Sequence, residues 1–409
     1  MTQPRIDGER LWRSLMDLAK IGATPKGGVR RITLTEEDRQ GRDQFARWAK
    51  EAGLEVRWDA IGNMFARRAG ADASLPPVMI GSHLDSQPSG GRFDGAYGVM
   101  AGLEVVRTLN ERGIRTRAPL EVASFTNEEG SRFAPTMMGS GVFTGTYALS
   151  DVLGNKDAEG KTVKDALEGI GYRGEAKPHE VGAYFEVHIE QGPVLEDTKT
   201  TIGVVQGALG QRWFDVVLTG QDSHAGPTPM NLRKDALIAA SRLVLEVNRI
   251  ANGYPDNARG TVGHMQVKPN SRNVVPGEVR MTVDLRNAAD ATLSAMAKDL
   301  RDTLQRIAAE ARVQADIKEV VYFPPCEFAA ELVSSVRTAA KSLGHSHRDI
   351  VSGAAHDAVY MARIAPAAMV FVPCEGGLSH NEIENARPEH LAAGCDVLLQ
   401  AVLARAGTA

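Results

Sequence analysis

Cysteine is scarce in this sequence. Among its 409 residues there are 3 cysteines, Cys326, Cys374 and Cys395, which are far apart and form no C-x-x-C pair. A disulfide framework or a thiolate zinc site needs paired cysteines, so the pattern excludes both. It favours a reducing compartment.

The chain also lacks an excess of charge of one sign and any long apolar run. Lys and Arg number 47 against 51 Asp and Glu, which gives a formal net charge of −4. This balance provides no broad cationic surface, so neither nucleic acid nor a membrane is an expected partner. The N-terminus mixes charged and apolar residues instead of forming a signal peptide, and no stretch is long enough to span a membrane. We therefore predict a cytoplasmic protein that acts on a small molecule or a peptide.

The composition is that of an ordinary globular protein, and the length predicts two or three domains. Strand-like and helix-like segments alternate, which predicts an α/β sheet covered by helices. The predicted segments are a helix over Asp7–Lys20 with Leu11, Leu15 and Leu18 on one face, a helix opening at Thr35, a strand over Pro77–His83, a helix over Gly98–Asn110 and a strand over Leu120–Thr126.

Residues 211–325 follow a different order. The predicted elements are strand Trp213–Thr219, helix Lys234–Ile250, strand Gly260–Val267, strand Glu278–Asn287, helix Ala291–Ala311 and strand Val313–Tyr322. This β-α-β-β-α-β order is that of a ferredoxin-like α+β domain. After it, a helix over Val333–Leu343 and the apolar run Ala367–Pro373 resume the α/β pattern. We predict a discontinuous catalytic α/β domain, residues 1–210 and 326–409, interrupted by a domain over 211–325.

Polar residues follow several predicted strands. His83, Asp85 and Asp94 lie in a glycine-rich segment after the first strand, GSHLDSQPSGGRFDG. Open α/β sheets bind ligands at the carboxyl ends of their strands. The His-x-Asp spacing suggests an imidazole metal ligand whose second ring nitrogen is held by a carboxylate, although a polar loop that caps the next helix explains this segment equally well.

Three further segments carry the same residue types. Glu128 and Glu129 are adjacent, and such a pair repels unless a cation or a proton separates the carboxylates. His188 lies in an apolar strand, and His380 lies in a Gly/Ser loop after another strand. Each segment alone is explained by a loop or a hydrogen-bonded core histidine. Together, five nitrogen and oxygen donors without cysteine suit a pair of divalent ions such as Zn²⁺ or Mn²⁺ that share a carboxylate and activate a water.

The ordered strings GSHLDSQPSGGRFDGAYGV, FTNEEGSRF, HIEQGPVLE, TGQDSHAGPTPM, NVVPGEVRMTVDLRN, SGAAHDAVYMA and EGGLSHNEIE resemble the M20-type amidohydrolases of the carbamoylase group. That group includes N-carbamoyl-L-amino acid hydrolases, β-ureidopropionases and allantoate amidohydrolases. The resemblance spans residues 83–384.

The resemblance implies a site with two divalent ions per subunit, Zn²⁺ or Mn²⁺, with Co²⁺ or Ni²⁺ as further candidates. His83, Asp94 and His188 would hold one ion, and Asp94, Glu129 and His380 the other. Asp94 would bridge the two ions, Glu128 would be the general base, and Asp85 would support His83.

It also implies that the inserted domain acts as a lid and forms a homodimer. His224 would stabilise the oxyanion across the dimer interface. Arg286 and Asn273 would bind the carboxylate of a small-molecule substrate, because an arginine fork and an amide suit a carboxylate. Gln191 and His356 are further candidate pocket residues, with a structural His356–Asp357 pair as the alternative for the latter.

The leading hypothesis is hydrolysis of the C–N bond in an N-carbamoyl amino acid or a related ureido acid, by metal-activated water with Glu128 as base. Allantoate hydrolysis and an M20 peptidase or deacylase activity are the alternatives within the class. A non-catalytic binding protein is the alternative outside it, and the complete set of ligands with Glu128 argues against that reading.

Overall fold

The computed structural model describes residues 3–254 and 257–409, and the chain divides into two compact units. Unit 1 comprises Met1–Gly207 and Glu327–Ala409, and unit 2 comprises Ala208–Cys326. Across the described residues, no helix is both long enough and apolar enough to pass through a lipid bilayer.

The first part of unit 1 contains six strands and seven helices. They are α1 (Gly8–Leu18), α2 (Glu36–Glu51), β1 (Glu55–Trp58), β2 (Met64–Arg68), β3 (Val78–His83), α3 (Ala96–Glu111), β4 (Leu120–Phe125), α4 (Met138–Phe143), α5 (Leu149–Leu153), α6 (Val163–Gly169), β5 (Ala183–Ile189), α7 (Val194–Asp197) and β6 (Ile202–Ala208).

Unit 2 and the return to unit 1 supply the rest. They are β7 (Gly210–Thr219), β8 (Ser223–His224), a 3₁₀ turn (Met230–Leu232), α8 (Ala236–Gly253), β9 (Arg259–Lys268), β10 (Val274–Val275), β11 (Glu278–Asn287), α9 (Asp290–Ala311), β12 (Gln314–Phe323), β13 (Cys326–Glu327), α10 (Ala330–Ser342), β14 (His347–Ser352), α11 (Asp357–Met361), β15 (Ala367–Val372), a 3₁₀ turn (Glu375–Gly377) and α12 (Pro388–Ala406).

The local signals explain where the first helices begin. The Asp7 side chain accepts a hydrogen bond from the backbone N–H of Arg10, and that of Thr35 accepts one from Asp38, so both are N-caps. The predicted apolar face of α1, Leu11, Leu15 and Leu18, is buried.

Unit 1 is built on a nine-stranded sheet, and the predicted α/β class is confirmed. The order is β1-β2-β4-β3-β5-β15-β6-β13, with β14 paired to β6. Strands β4, β3, β5 and β15 run parallel to one another, so their carboxyl ends lie on one edge of the sheet. The antiparallel strands β1, β2 and β6 were not predicted.

The central strands are completely buried. Every residue of β3, β4, β5 and β15 is inaccessible to solvent, including the polar ones. His188 therefore lies in a central parallel strand, β5, that is covered on both faces.

Unit 2 contains a four-stranded antiparallel sheet in the order β12-β7-β11-β9. Its elements follow the predicted β-α-β-β-α-β order, with the short β8 and β10 added between them. Helices α8 and α9 pack on one side of the sheet, where Phe214, Met281, Leu243 and Leu300 form part of a buried core. The predicted role of this unit as a lid and dimerisation domain stays a prediction.

Candidate functional site

The parallel strands of unit 1 bring the predicted ligands to one edge of the sheet. His83 is the last residue of β3, and His188 lies one residue before the end of β5. Glu129 follows β4, and His380 lies in the loop after β15. The sheet topology therefore assembles residues that are up to about 300 positions apart in the chain.

One group of potential ligands consists of His83, Asp94 and His188, all buried. Asp94 Oδ1 lies 3.7 Å from Nε2 of His83 and 3.1 Å from Nε2 of His188. The Nδ1 atoms of both histidines contact backbone oxygens, at 2.9 Å from Asp85 O for His83 and 2.8 Å from Ile189 O for His188. If Nδ1 donates in each case, both Nε2 atoms face Asp94.

The second group consists of Asp94, Glu129 and His380. His380 Nε2 lies 3.4 Å from Asp94 Oδ2 and 3.3 Å from Glu129 Oε2. Each oxygen of Asp94 thus faces a different group, as a bridging carboxylate would. His380 is the most exposed of these ligands, with 52% of its side chain accessible.

Gln87 holds the Glu129 carboxylate and was not predicted. Its backbone N–H donates to Oε1 of Glu129 at 3.1 Å, and its Nε2 donates to Oε2 at 2.7 Å. The only sequence signal is its position in the same segment as His83 and Asp85. These two bonds orient Glu129 toward His380.

Asp85 contacts different partners from those predicted. Its backbone oxygen, not its carboxylate, accepts the Nδ1 hydrogen bond of His83, and Oδ1 is 4.0 Å from Nδ1. The carboxylate accepts long bonds of 3.3 Å from the backbone N–H groups of Glu128 and Glu129. A buried carboxylate needs donors, and the turn after β4 offers two of them.

Glu128, the predicted base, is buried beside the first group. Its Oε2 lies 3.5 Å from Nε2 of His83. Burial raises the pKa of Glu128 well above its usual value, and the charges of Asp357 and Glu129 raise it further. A carboxyl of this kind is suited to accepting a proton.

His356 lies behind the ligands. Its ring packs edge-on against His188 with a centroid separation of 4.6 Å, and its Nε2 is 3.0 Å from Ser352 Oγ. Asp357 accepts a hydrogen bond of 2.5 Å from Ser140 Oγ, and its Oδ2 has no hydrogen-bond partner among the described residues, so the alternative of a His356–Asp357 pair stays a prediction. Burial and the neighbouring His188 hold the pKa of His356 well below its usual value.

Gln191 contacts Asp94, one of the candidate metal ligands. Its Nε2 donates to Asp94 Oδ2 at 3.0 Å and to Ser379 Oγ at 3.2 Å. Among the described residues its Oε1 has no hydrogen-bond partner. Gln191 therefore supports Asp94 through its amide nitrogen, and its carbonyl oxygen is buried.

The charges of the site fit divalent cations. No described lysine or arginine forms an ion pair with Asp94, Glu128 or Glu129. Burial raises the pKa of Glu129 well above its usual value, and Asp94 raises it further. A Zn²⁺ or Mn²⁺ site is typically buried and has nitrogen and oxygen donors. Its carboxylates are neutralised by the metal ions, which fits the absence of lysine and arginine partners among the described residues.

The pKa values of the two buried histidines are shifted in opposite directions. Burial lowers the pKa of His83 to about 4, which favours the neutral form that ligates metals. Burial also acts to lower the pKa of His188, but the hydrogen bond to Asp94 raises it to about 9. Nε2 of His188 thus faces Asp94 Oδ1 at 3.1 Å, and the backbone N–H of Gly95 donates to the same nitrogen at 3.1 Å.

The remaining candidates lie in unit 2. Strands β8 and β10 are paired, and His224 lies opposite Val274 in this pair. Asn273 is the residue before Val274 and therefore lies close to His224. His224 Nδ1 accepts a hydrogen bond of 3.1 Å from the backbone N–H of Gly226, so its Nε2 carries the proton of the neutral ring. Arg286 lies on β11, where its guanidinium contacts Asp284 at 2.9 Å.

Comparison with protein families gives a match over most of the chain. The sequence model of peptidase family M20/M25/M40 matches residues 79–404. An N-carbamoyl-L-amino-acid amidohydrolase from Rhizobium meliloti is 47% identical over 98% of this chain and 96% of its own length. An allantoate amidohydrolase from Bacillus subtilis is 35% identical over 93% of both chains.

The fold is also similar to that of a solved structure. A crystal structure of an amidase of the hydantoinase/carbamoylase family from Burkholderia multivorans is 55% identical to this chain. It superposes with a TM-score of 0.97 over 98% of both chains.

Proposed function

This chain belongs to peptidase family M20/M25/M40, and on that premise we propose that it is an amidohydrolase that cleaves N-carbamoyl-L-amino acids. The reaction consumes one water and yields the free amino acid, carbon dioxide and ammonia. The observation that carries the proposal is the arrangement of ligands around Asp94, with one carboxylate oxygen facing each group and Glu128 beside them.

Two divalent ions are part of the proposal. His83, Asp94 and His188 would hold one, and Asp94, Glu129 and His380 the other, with Zn²⁺ or Mn²⁺ favoured and Co²⁺ or Ni²⁺ as alternatives. When bound, such ions polarise a carbonyl oxygen and lower the pKa of a water. The donor set and its burial support this assignment.

Glu128 moves the proton in this proposal. It accepts a proton from the attacking water and delivers it to the leaving nitrogen, as a general base that then acts as an acid. Burial supports the role, because it raises the pKa of Glu128 and makes the protonated form easier to reach. Gln87 holds the Glu129 carboxylate in the position proposed for a metal ligand, so Glu129 does not replace Glu128 as the base.

Unit 2 supplies substrate contacts in the proposal. His224 donates to the oxyanion, and the donor tautomer at Nε2 supports this role. Asn273 and Arg286 bind the substrate carboxylate, with Asp284 orienting the guanidinium.

A homodimer formed through unit 2 and a cytoplasmic location complete the proposal. Ile238 and Leu245 lie seven residues apart on α8 with 55% and 71% of their surface exposed, which supports an interface on this helix. The scarcity of cysteine supports a reducing compartment.

The test is a substrate panel with two product assays. Purified enzyme loaded with Zn²⁺ or Mn²⁺ is incubated with N-carbamoyl-L- and D-amino acids, allantoate, N-acetyl amino acids and dipeptides. Free amino acid and ammonia are measured in parallel, and a Glu128→Gln variant purified identically reveals contaminating activity.

We expect one ammonia for each amino acid released from N-carbamoyl-L-amino acids. Turnover of allantoate alone would transfer the assignment to that alternative. Cleavage restricted to dipeptides or N-acetyl amino acids, without ammonia, would reject the carbamoylase assignment.

A further inference from the structure

Glu384 is a buried carboxylate that follows His380 by four residues and is not among the predicted site residues. Only 1% of its surface is accessible. Its Oε1 accepts hydrogen bonds from the backbone N–H groups of Phe93, at 3.0 Å, and Asp94, at 3.2 Å. Glu384 therefore ties the loop that carries His380 to the segment that carries Asp94.

The second oxygen of Glu384, Oε2, takes part in a series of hydrogen bonds. Ser379 Oγ lies 2.9 Å from Glu384 Oε2 and 3.1 Å from Asp94 Oδ2, and Gln191 Nε2 lies within 3.2 Å of both Ser379 Oγ and Asp94 Oδ2. A hydroxyl donates one proton and an amide two. If Ser379 donates to Glu384, Gln191 can donate to Asp94 and to Ser379, and every acceptor is satisfied.

The chain leaves space for this carboxylate. A Cβ atom on Gly91 would lie 2.0 Å from the carboxyl carbon of Glu384 and 2.1 Å from Oε1. No side chain fits there while Glu384 keeps its position. A hydrogen bond of 2.7 Å from Arg92 Nη2 to Asn385 Oδ1 adds a second tie between the same two segments.

We propose that Glu384 is a positioning residue that fixes Asp94 and His380 relative to each other, so that two ions can share Asp94. It is not a ligand, since its oxygens are occupied by Phe93, Asp94 and Ser379. It acts by holding the backbone of Asp94 directly and the carboxylate of Asp94 through Ser379 and Gln191. This inference rests on the proposed two-ion site and extends it to a residue outside the ligand set.

The test measures Zn²⁺ affinity, so it does not depend on activity. Protein stripped of metal is titrated with Zn²⁺ against a chromophoric chelator, for the wild type, Glu384→Ala, Glu384→Gln and Ser379→Ala. Groups that orient metal ligands typically change affinity ~10- to 100-fold when removed, and we expect a loss in that range for Glu384→Ala. Glu384→Gln keeps one oxygen toward Phe93 and Asp94 and should fall between the wild type and Glu384→Ala.

Glu382→Gln is the matched control. It removes a negative charge from the same loop, but its ion-pair partner is Lys26, at 3.6 Å, and not a ligand. Its Zn²⁺ affinity should equal that of the wild type. Thermal unfolding of each variant without Zn²⁺ separates a loss of stability from a loss of affinity.

A loss of affinity below about fivefold in Glu384→Ala would overturn the inference, whatever its melting temperature. If that variant does not fold, Ser379→Ala decides by the same threshold, because it removes only the link through Oε2. A wild type that binds no Zn²⁺ would instead reject the proposed two-ion site itself. The two failures are therefore distinguishable.

Discussion

Gly95 allows the sharpest test of how closely the first ligand group is packed. It precedes α3 with a φ of 64°, and a Cβ atom there would lie 2.3–2.4 Å from three ring atoms of His83. Real Cβ atoms essentially never come closer than 3.0 Å and make ordinary contacts from 3.4 Å, so Gly95→Ala must displace the imidazole or the backbone by roughly 0.6–1.1 Å. Metal–ligand distances tolerate only about 0.2 Å.

The magnitude follows from two separate effects. Gly95 has φ 64° and ψ −51°, which is close to the strained γ-turn conformation, so an alanine there costs ~1–3 kcal/mol of stability. Misplacing a catalytic constellation by ~1 Å costs ~100-fold in rate. Gly95→Ala should therefore lower kcat ~100-fold beyond any loss of stability, and it should weaken Zn²⁺ binding.

Gly113 is the matched control at the other end of the same helix. Its φ is 63°, and nothing lies within 4 Å of a Cβ atom placed on it. Gly113→Ala also places an alanine at a positive φ but touches no ligand, so its kcat and Zn²⁺ affinity should equal those of the wild type.

The assay compares the kcat of both variants at saturating metal, together with chelator-competition titrations. A Gly95→Ala enzyme whose kcat and Zn²⁺ affinity match those of Gly113→Ala would refute the argument that His83 is held by close contact.

Three further outcomes are expected. Glu128→Gln should lower kcat ~10²- to 10⁴-fold while Zn²⁺ titration still gives two bound ions, and a near-normal kcat would remove Glu128 as the base. Arg286→Ala should raise KM for carboxylate substrates far more than it lowers kcat, and an unchanged KM would remove it from the substrate site. Burial raises the pKa of Cys374 to about 12 and that of Cys395 well above its usual value, so at pH 8 a thiol reagent should modify only Cys326 in the folded protein and all three cysteines after denaturation. Rapid modification of two or more thiols in the folded protein would contradict this.

The sequence was most informative where general rules of sheet topology apply. His83 and His380 follow apolar runs, and runs of that kind become parallel strands whose carboxyl ends share one edge. The residues therefore had to meet if the strands were neighbours, and β3, β5 and β15 are neighbours. The same reasoning could not find the edge strand β1 and its neighbour β2, which are short antiparallel strands and carry charged residues such as Arg57 and Arg67.

Residues that support the ligands were harder to find. Gln87, Ser379 and Glu384 lie within a few positions of predicted ligands, but nothing in their local pattern shows what they bind. Gln87 reaches Glu129 across 42 positions, and Glu384 reaches the backbone of Asp94 across 290. Such contacts depend on how the loops dock, which periodicity and motif spacing do not encode.

Asp85 shows the same limit at the level of single atoms. The sequence placed it correctly beside His83, but the contact uses its backbone oxygen, which any residue type at that position would offer. What requires an aspartate is the pair of N–H groups from Glu128 and Glu129, 43 and 44 positions away. The identity of the side chain is therefore explained by the turn that carries the proposed base and a proposed ligand. The position of the Asp85 backbone oxygen is explained by its contact with Nδ1 of His83.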